Sequence, residues 1–87
     1  MAKAVTIYTR PLCGFCAAAV NLLQKRGIAF EEIERANRPE IKAEMGQRAN
    51  GRGTFPQIFI GDEHVGGYDD LSKLDRAGRL EPMVAAS

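Results

Sequence analysis

Residues 4–33 constrain the fold more than any other stretch. "AVTIY" alternates, with Val5 and Ile7 on one side and Thr6 and Tyr8 on the other, as a strand does. From Gly14 the period becomes helical: Cys16, Val20 and Leu23 share a stripe, Lys25 and Arg26 fill the last turn, and Gly27 is a C-terminal stop. "IAFEEI" then reads as a second short strand. Strand, helix and strand in succession predict a parallel βαβ unit with a right-handed crossover. Both cysteines of the 87-residue chain, Cys13 and Cys16, fall where the first strand turns into the helix.

The remaining elements complete a layered pattern. "NRPEIKAEMGQRANG" reads as a helix in which Asn37 and Glu40 have capping-box spacing, Pro39 suits the first turn, and Ile41, Met45 and Ala49 form a stripe. "PQIFIGDEHVGG" gives two strands around a Gly-Asp turn, a hairpin signal. "YDDLSKLDRAG" is a third helix with Leu71 and Leu74 inward and Gly78 at its end, and "LEPMVAA" has room for a short tail helix. The expectation is an α/β chain of order β-α-β-α-β-β-α, a four-stranded mixed sheet flanked by helices, in one domain covering residues 1–87.

Charge and composition exclude several classes. Twelve Lys and Arg against eleven Asp and Glu leave +1, so bulk charge points to no nucleic-acid partner. Hydrophobic residues at 45% beside 26% charged ones suit a soluble globular chain, and no apolar run reaches the length of a membrane span. "MAKAVTIYTR" lacks the apolar stretch of a secretory signal, so a cytoplasmic, thiol-reducing location is expected. There a structural disulfide is disfavoured, and one across two residues closes too small a loop to constrain the unfolded chain much. Zinc needs four ligands, whereas two Cys and the distant His64 are available; no metal site is expected within the chain. His64 reads as an exposed hairpin residue with no assigned role.

Redox chemistry is the favoured use of the pair, since C-x-x-C after the first strand of a βαβ unit is a thioredoxin-like signature. Cys13 precedes the helix, where unpaired N–H groups and the positive end of the helix dipole favour a thiolate. Cys16 lies one turn inward. The asymmetry makes Cys13 the nucleophile and Cys16 the resolving thiol. At "VGGYDDL", Asp69 and Asp70 open the third helix; a glycine turn with a capping acid explains them structurally. Free N–H groups there can also bind a carboxylate while the acids hold an ammonium, and one end of an amino acid carries both charges. Arg10, three residues before Cys13, can favour the thiolate and bind a second carboxylate.

"YTRPLCGFC", "TFPQIFI" and "GGYDDL", in that order, make the chain resemble a glutaredoxin over nearly its whole length. The resemblance implies a thioredoxin-like three-layer α/β/α fold with Pro56 cis, and glutathione as co-substrate. It implies a glutathione groove of Arg10, Phe15, Thr54, Phe55, Pro56, Gly67, Tyr68, Asp69 and Asp70. In it Arg10 lies near the glycine carboxylate, the Phe55 backbone pairs with the cysteinyl unit, and Tyr68 N–H with Asp69 holds the γ-glutamyl end. Which of Lys42, Arg48 and Arg52 adds a further cation is open. The implied partners are glutathione and glutathionylated or disulfide-containing proteins, acted on by a monomer.

Three positions depart from the family's commonest pattern: Arg10 for Lys, Phe55 for Val, and Gly14-Phe15 for Pro-Tyr. Gly-Phe resembles the single-cysteine glutaredoxins that bind iron–sulfur clusters, although "YTRPLC" lacks their preceding insertion. A second expectation therefore stands beside the dithiol enzyme: a dimer holding a [2Fe–2S] cluster through Cys13 and glutathione. A thioredoxin-type reductase independent of glutathione is the third.

Overall fold

The computed structural model describes residues 3–85. The elements run β1 (Val5–Tyr8), α1 (Gly14–Lys25), β2 (Glu31–Ile33), α2 (Pro39–Arg48), β3 (Gln57–Ile60), β4 (Glu63–Gly66), α3 (Tyr68–Arg76) and α4 (Leu80–Ala85). The strands form one mixed sheet in the order β2-β1-β3-β4. Strand β2 runs parallel to β1, while β3 is antiparallel to both β1 and β4. The expected order is present, with the tail helix added.

The period-two alternation sorts the core into two layers. Val5 and Ile7 of β1 and Ile58 and Ile60 of β3 pack on one face with Ala19 and Leu23 of α1, Leu71 of α3 and Leu80 of α4. Tyr8 and Phe59 occupy the opposite face with Ala36, Met45 and Ala49, and Ile41 packs against them. Helices thus cover both faces of the sheet, giving the three-layer α/β/α arrangement. Across the first layer Arg26 grips Asp75 through two bonds, Nε to Oδ1 at 2.7 Å and Nη2 to Oδ2 at 3.0 Å.

Two local expectations are corrected. The Asn37–Glu40 capping box does not form: α2 starts at Pro39, Arg38 is its N-cap, and no side chain caps it. Proline excludes the helical region for the residue before it, so Arg38 is extended (φ −63°, ψ 140°) and the cap falls one residue past Asn37. The second strand is shorter than "IAFEEI". Gly27 adopts φ +67° and the Ile28 N–H donates to Leu23 O at 3.0 Å, so Ile28 still belongs to the helix terminator. Ile28 and Phe30 instead pack on the first core layer.

Leu71 is fully buried between α3 and the sheet. Leu71→Ala is expected to cost about 2–5 kcal/mol in urea-induced unfolding. Asp75→Asn, which removes the charge paired with Arg26, should shift the midpoint less. The reverse ranking would show that the ion pair, not apolar packing, holds α3.

Candidate active site

The β1–α1 turn presents the cysteines. Cys13 is the N-cap of α1 (φ −114°, ψ 108°), and its Sγ accepts the Cys16 N–H at 3.2 Å. The first turn of α1 contains no acidic residue, so nothing in it opposes negative charge on that sulfur. Cys13 is half-buried and Cys16 is only 4% exposed. The two are joined as a disulfide, their Cα atoms 5.2 Å apart. Leu12, at φ +56°, is fully exposed, and Phe15 is 64% exposed. Apolar surface therefore flanks Cys13 on both sides in sequence.

The Phe55–Pro56 bond is cis, as the resemblance implies. A cleft of about 350 Å³ is lined by Phe15, Thr54, Phe55, Pro56, Gly67, Tyr68, Asp69 and Asp70, eight of the nine residues named for the groove. The Phe15 and Tyr68 rings stack across it at 6.1 Å between centroids. Arg10 is the exception. It lines a second cleft of about 400 Å³ with Cys13, Cys16, Glu32, Glu34 and Arg35. Its Nη1 donates to Pro11 O at 3.2 Å, and its guanidinium carbon lies 6.0 Å from the Phe55 ring centroid.

At the far end of the first cleft, helical bonding in α3 begins with Leu71 N–H to Gly67 O at 3.1 Å. The N–H groups of Tyr68, Asp69 and Asp70 therefore point out of the helix start. The N-cap is Gly67, not an aspartate: the Asp70 carboxylate accepts the Gly67 N–H at 3.1 Å. Asp69 is left exposed beside those donors. Gly66 has φ +121°, and a Cβ there would collide with the Asp70 carboxylate, so the first glycine of the pair is required sterically.

The three basic residues left open take different places in the fold. Lys42 packs its Cε against Gly53. Arg48 lies 4.3 Å over the Phe59 ring and donates to the Tyr8 hydroxyl at 2.9 Å. Arg52 lines the cleft, with Nη1 3.6 Å from Asp70 Oδ2. Lys73 joins it there, one α3 turn beyond Asp69, a position the sequence reading passed over. His64 is likewise corrected. It is half-buried, stacked on Phe59, with Nε2 2.6 Å from Gln57 Oε1.

A thioredoxin-like layered fold with a C-x-x-C cysteine pair at a helix start, at the same sheet end as the Phe55–Pro56 segment, defines a thiol–disulfide oxidoreductase. The Glutaredoxin family model matches residues 5–65. A glutaredoxin from Pseudomonas aeruginosa is 48% identical over 82 residues, covering 94% of this chain and 96% of that protein. Among solved structures, a buckwheat glutaredoxin–glutathione complex superposes with a TM-score of 0.82 at 29% identity, covering 95% of this chain and 81% of that one. A structure described as "Metal Binding of Glutaredoxins" is 49% identical with a TM-score of 0.73, covering 98% and 91%. The chain belongs to the glutaredoxin family.

Burial first, and the positive charge of Arg52 second, hold the His64 pKa below its ordinary 6.5, with Asp70 opposing. The folded chain therefore prefers the neutral ring. This contribution to stability is complete above 6.5 and is lost as pH falls through the unfolded value toward the folded one. Urea midpoints measured between about pH 7.5 and pH 5 should fall less steeply in His64→Gln than in the wild type. Identical slopes would contradict it.

Proposed function

We propose that the chain is a glutathione-dependent thiol–disulfide oxidoreductase that uses Cys13 as nucleophile and Cys16 as resolving thiol. One observation carries the reading: the cleft beside the cysteines joins a cis-proline edge to a helix start that offers free N–H donors and a free carboxylate together. Glutathione has the matching sequence of groups, a γ-glutamyl end with carboxylate and ammonium, a cysteinyl unit, and a second carboxylate. The glutathione complex of the buckwheat relative supports the same choice of ligand.

In this reading Tyr68 and Asp69 N–H groups receive the γ-glutamyl carboxylate and the Asp69 carboxylate receives the ammonium. Arg52 adds positive charge at that end and holds Asp70 in place. The Phe55 backbone pairs with the cysteinyl unit in extended fashion, and Arg10, already against Phe55, takes the glycine carboxylate. The Cys13 thiolate, favoured at its helix start, attacks the glutathionyl sulfur of a mixed disulfide. A bond forms between Cys13 Sγ and that sulfur, the substrate disulfide breaks, and the substrate leaves as a thiolate. A second glutathione thiolate then attacks the bound glutathionyl sulfur, releasing oxidised glutathione and restoring the Cys13 thiolate. With a protein disulfide, Cys13 attacks one sulfur and expels the other as a thiolate. Cys16 then attacks Cys13 Sγ, expels the second protein thiolate and forms the Cys13–Cys16 disulfide, which two glutathione thiols reduce with release of oxidised glutathione.

On a glutathionylated peptide, Cys13→Ser should be inactive while Cys16→Ser retains turnover and loses protein-disulfide reduction. Equal loss in both would overturn the assignment of roles. Asp69→Ala should lower kcat/KM for the glutathionylated peptide by about three- to tenfold and spare a small synthetic disulfide. No loss on either substrate would point to a thioredoxin-type enzyme without a glutathione groove.

Exposed Leu12 and Phe15 around Cys13, together with open space at Gly14, favour a second reading in which two copies share a [2Fe–2S] cluster. Among the described residues no three His, Cys, Asp or Glu side chains converge, so Cys13 would need ligands from glutathione and a second copy. Proline at residue 14 fixes φ and removes an N–H at the helix start. Gly14→Pro should keep reductase activity within about tenfold, roughly 1.4 kcal/mol in barrier, and abolish iron uptake during anaerobic reconstitution with glutathione. No uptake by the wild type would end the cluster reading.

A further inference from the structure

A polar chain behind the cleft is used by neither cysteine. Gln57 is fully buried at the start of β3, directly after the cis-proline. Its Nε2 donates to both Thr54 O and Thr54 Oγ1, each at 3.0 Å. A carbonyl oxygen only accepts, so the amide nitrogen must face Thr54 and the amide oxygen must face the other way. That oxygen meets His64 Nε2 at 2.6 Å. The proton must then lie on Nε2, which sets the neutral tautomer and leaves Nδ1 bare. Donation runs in one direction, His64 to Gln57 to Thr54.

The sheet register holds this chain together. Gln57 and Phe59 share a face of β3, and His64 on β4 lies opposite Phe59. The imidazole stacks on the Phe59 ring at 5.0 Å between centroids, inclined by 27°. Thr54, by contrast, belongs to a stretch from Arg52 to Pro56 outside helix and strand. The two Gln57 bonds are therefore anchors from a rigid sheet onto an irregular segment. That segment includes Phe55, whose backbone the proposed groove uses.

We propose that His64 is a positioning residue for the glutathione groove, holding Gln57 so that its amide fixes Thr54 and thereby the Phe55 backbone. The inference rests on the groove reading above. Removing the imidazole leaves a buried Gln57 oxygen without a donor and frees the amide to rotate away from Thr54. The effect falls on binding of the glutathionyl unit, not on the sulfur chemistry at Cys13.

The test compares His64→Leu, His64→Gln, Gln57→Leu and the His64→Leu/Gln57→Leu double variant on two substrates. With a glutathionylated peptide, His64→Leu should raise KM about five- to tenfold with kcat within about twofold. Its rate with dithiodipyridine, which carries no glutathionyl group, should match the wild type. His64→Gln, whose amide can donate in place of Nε2, should restore KM. Gln57→Leu should reproduce the loss, and the double variant should be no worse than either single change. Imidazole nitrogen NMR shifts of the wild type should show the proton on Nε2. An unchanged KM in His64→Leu, equal loss on dithiodipyridine, additive single effects or a proton on Nδ1 would each overturn the proposal. Asp69→Ala, run alongside, separates the two readings. If it raises KM and His64→Leu does not, the groove stands and the positioning role fails; if neither raises KM, the groove itself is wrong.

Discussion

The antiparallel register of β1 with β3, Tyr8 opposite Gln57, is the constraint on which the site depends. Tyr8 is the last residue of β1 and Gln57 the first of β3. The turn that leaves one strand and the segment that enters the other must therefore emerge at the same sheet end. The leaving turn carries Cys13 at a helix start, and the entering segment carries Phe55 and cis Pro56. A slip of one residue would reverse every side chain across the sheet and exchange Ile58 and Ile60 with Gln57 and Phe59 between the layers. The two apolar layers hold that register. Core packing thus sets the geometry of the chemistry.

The two faces of the sheet divide the labour. On one face, Val5, Ile7, Ile58 and Ile60 meet α1 and α3, so the helices whose N-termini frame the cleft share one apolar layer and are cross-linked by Arg26 and Asp75. The opposite face is mixed. Tyr8, Phe59 and Met45 supply apolar contact, while Gln57, His64 and Arg48 place polar groups among the rings. Of these polar residues only Gln57 is fully buried, and a buried polar group is stable only when paired, as Gln57 is to Thr54 and His64. That pairing carries directional information from the hairpin to the irregular segment before β3.

Electrostatics at the α3 start follow from backbone geometry more than from net charge. Gly66 at φ +121° lets the Asp70 carboxylate fold back onto Gly67 N–H, which keeps Asp70 occupied and leaves Asp69 and the outward N–H groups available. Arg52 completes the cluster from the segment before β3. With a formal +1 over the whole chain, this local pattern of charge and oriented N–H groups is what distinguishes the cleft.

Much of this was legible without coordinates, because it depends on period and local conformation. Alternation in "AVTIY", the two apolar strands around a Gly-Asp turn in "PQIFIGDEHVGG", helical stripes at Cys16/Leu23 and Met45/Ala49, and terminating glycines at 27 and 78 are properties of neighbouring residues. So are the helix-start position of Cys13 and the paired acids 69–70. Where local rules competed, the sequence misled: Asn37 looked like a cap until Pro39 shifted the cap to Arg38, and Ile28 looked like strand although the Gly27 terminator claims it. What tertiary structure alone decided concerns residues far apart in the chain. Lys42, Arg48 and Arg52 are equally basic, and only packing sends Arg48 onto Phe59, Lys42 onto Gly53 and Arg52 into the cleft. Arg10 lines a different cleft from the other groove residues, beside Cys13 and Cys16. His64 had no sequence signal of its own. Its partner Gln57 lies seven positions away, across a hairpin whose register from the turn sets His64 opposite Phe59, and such pairing is set by the sheet.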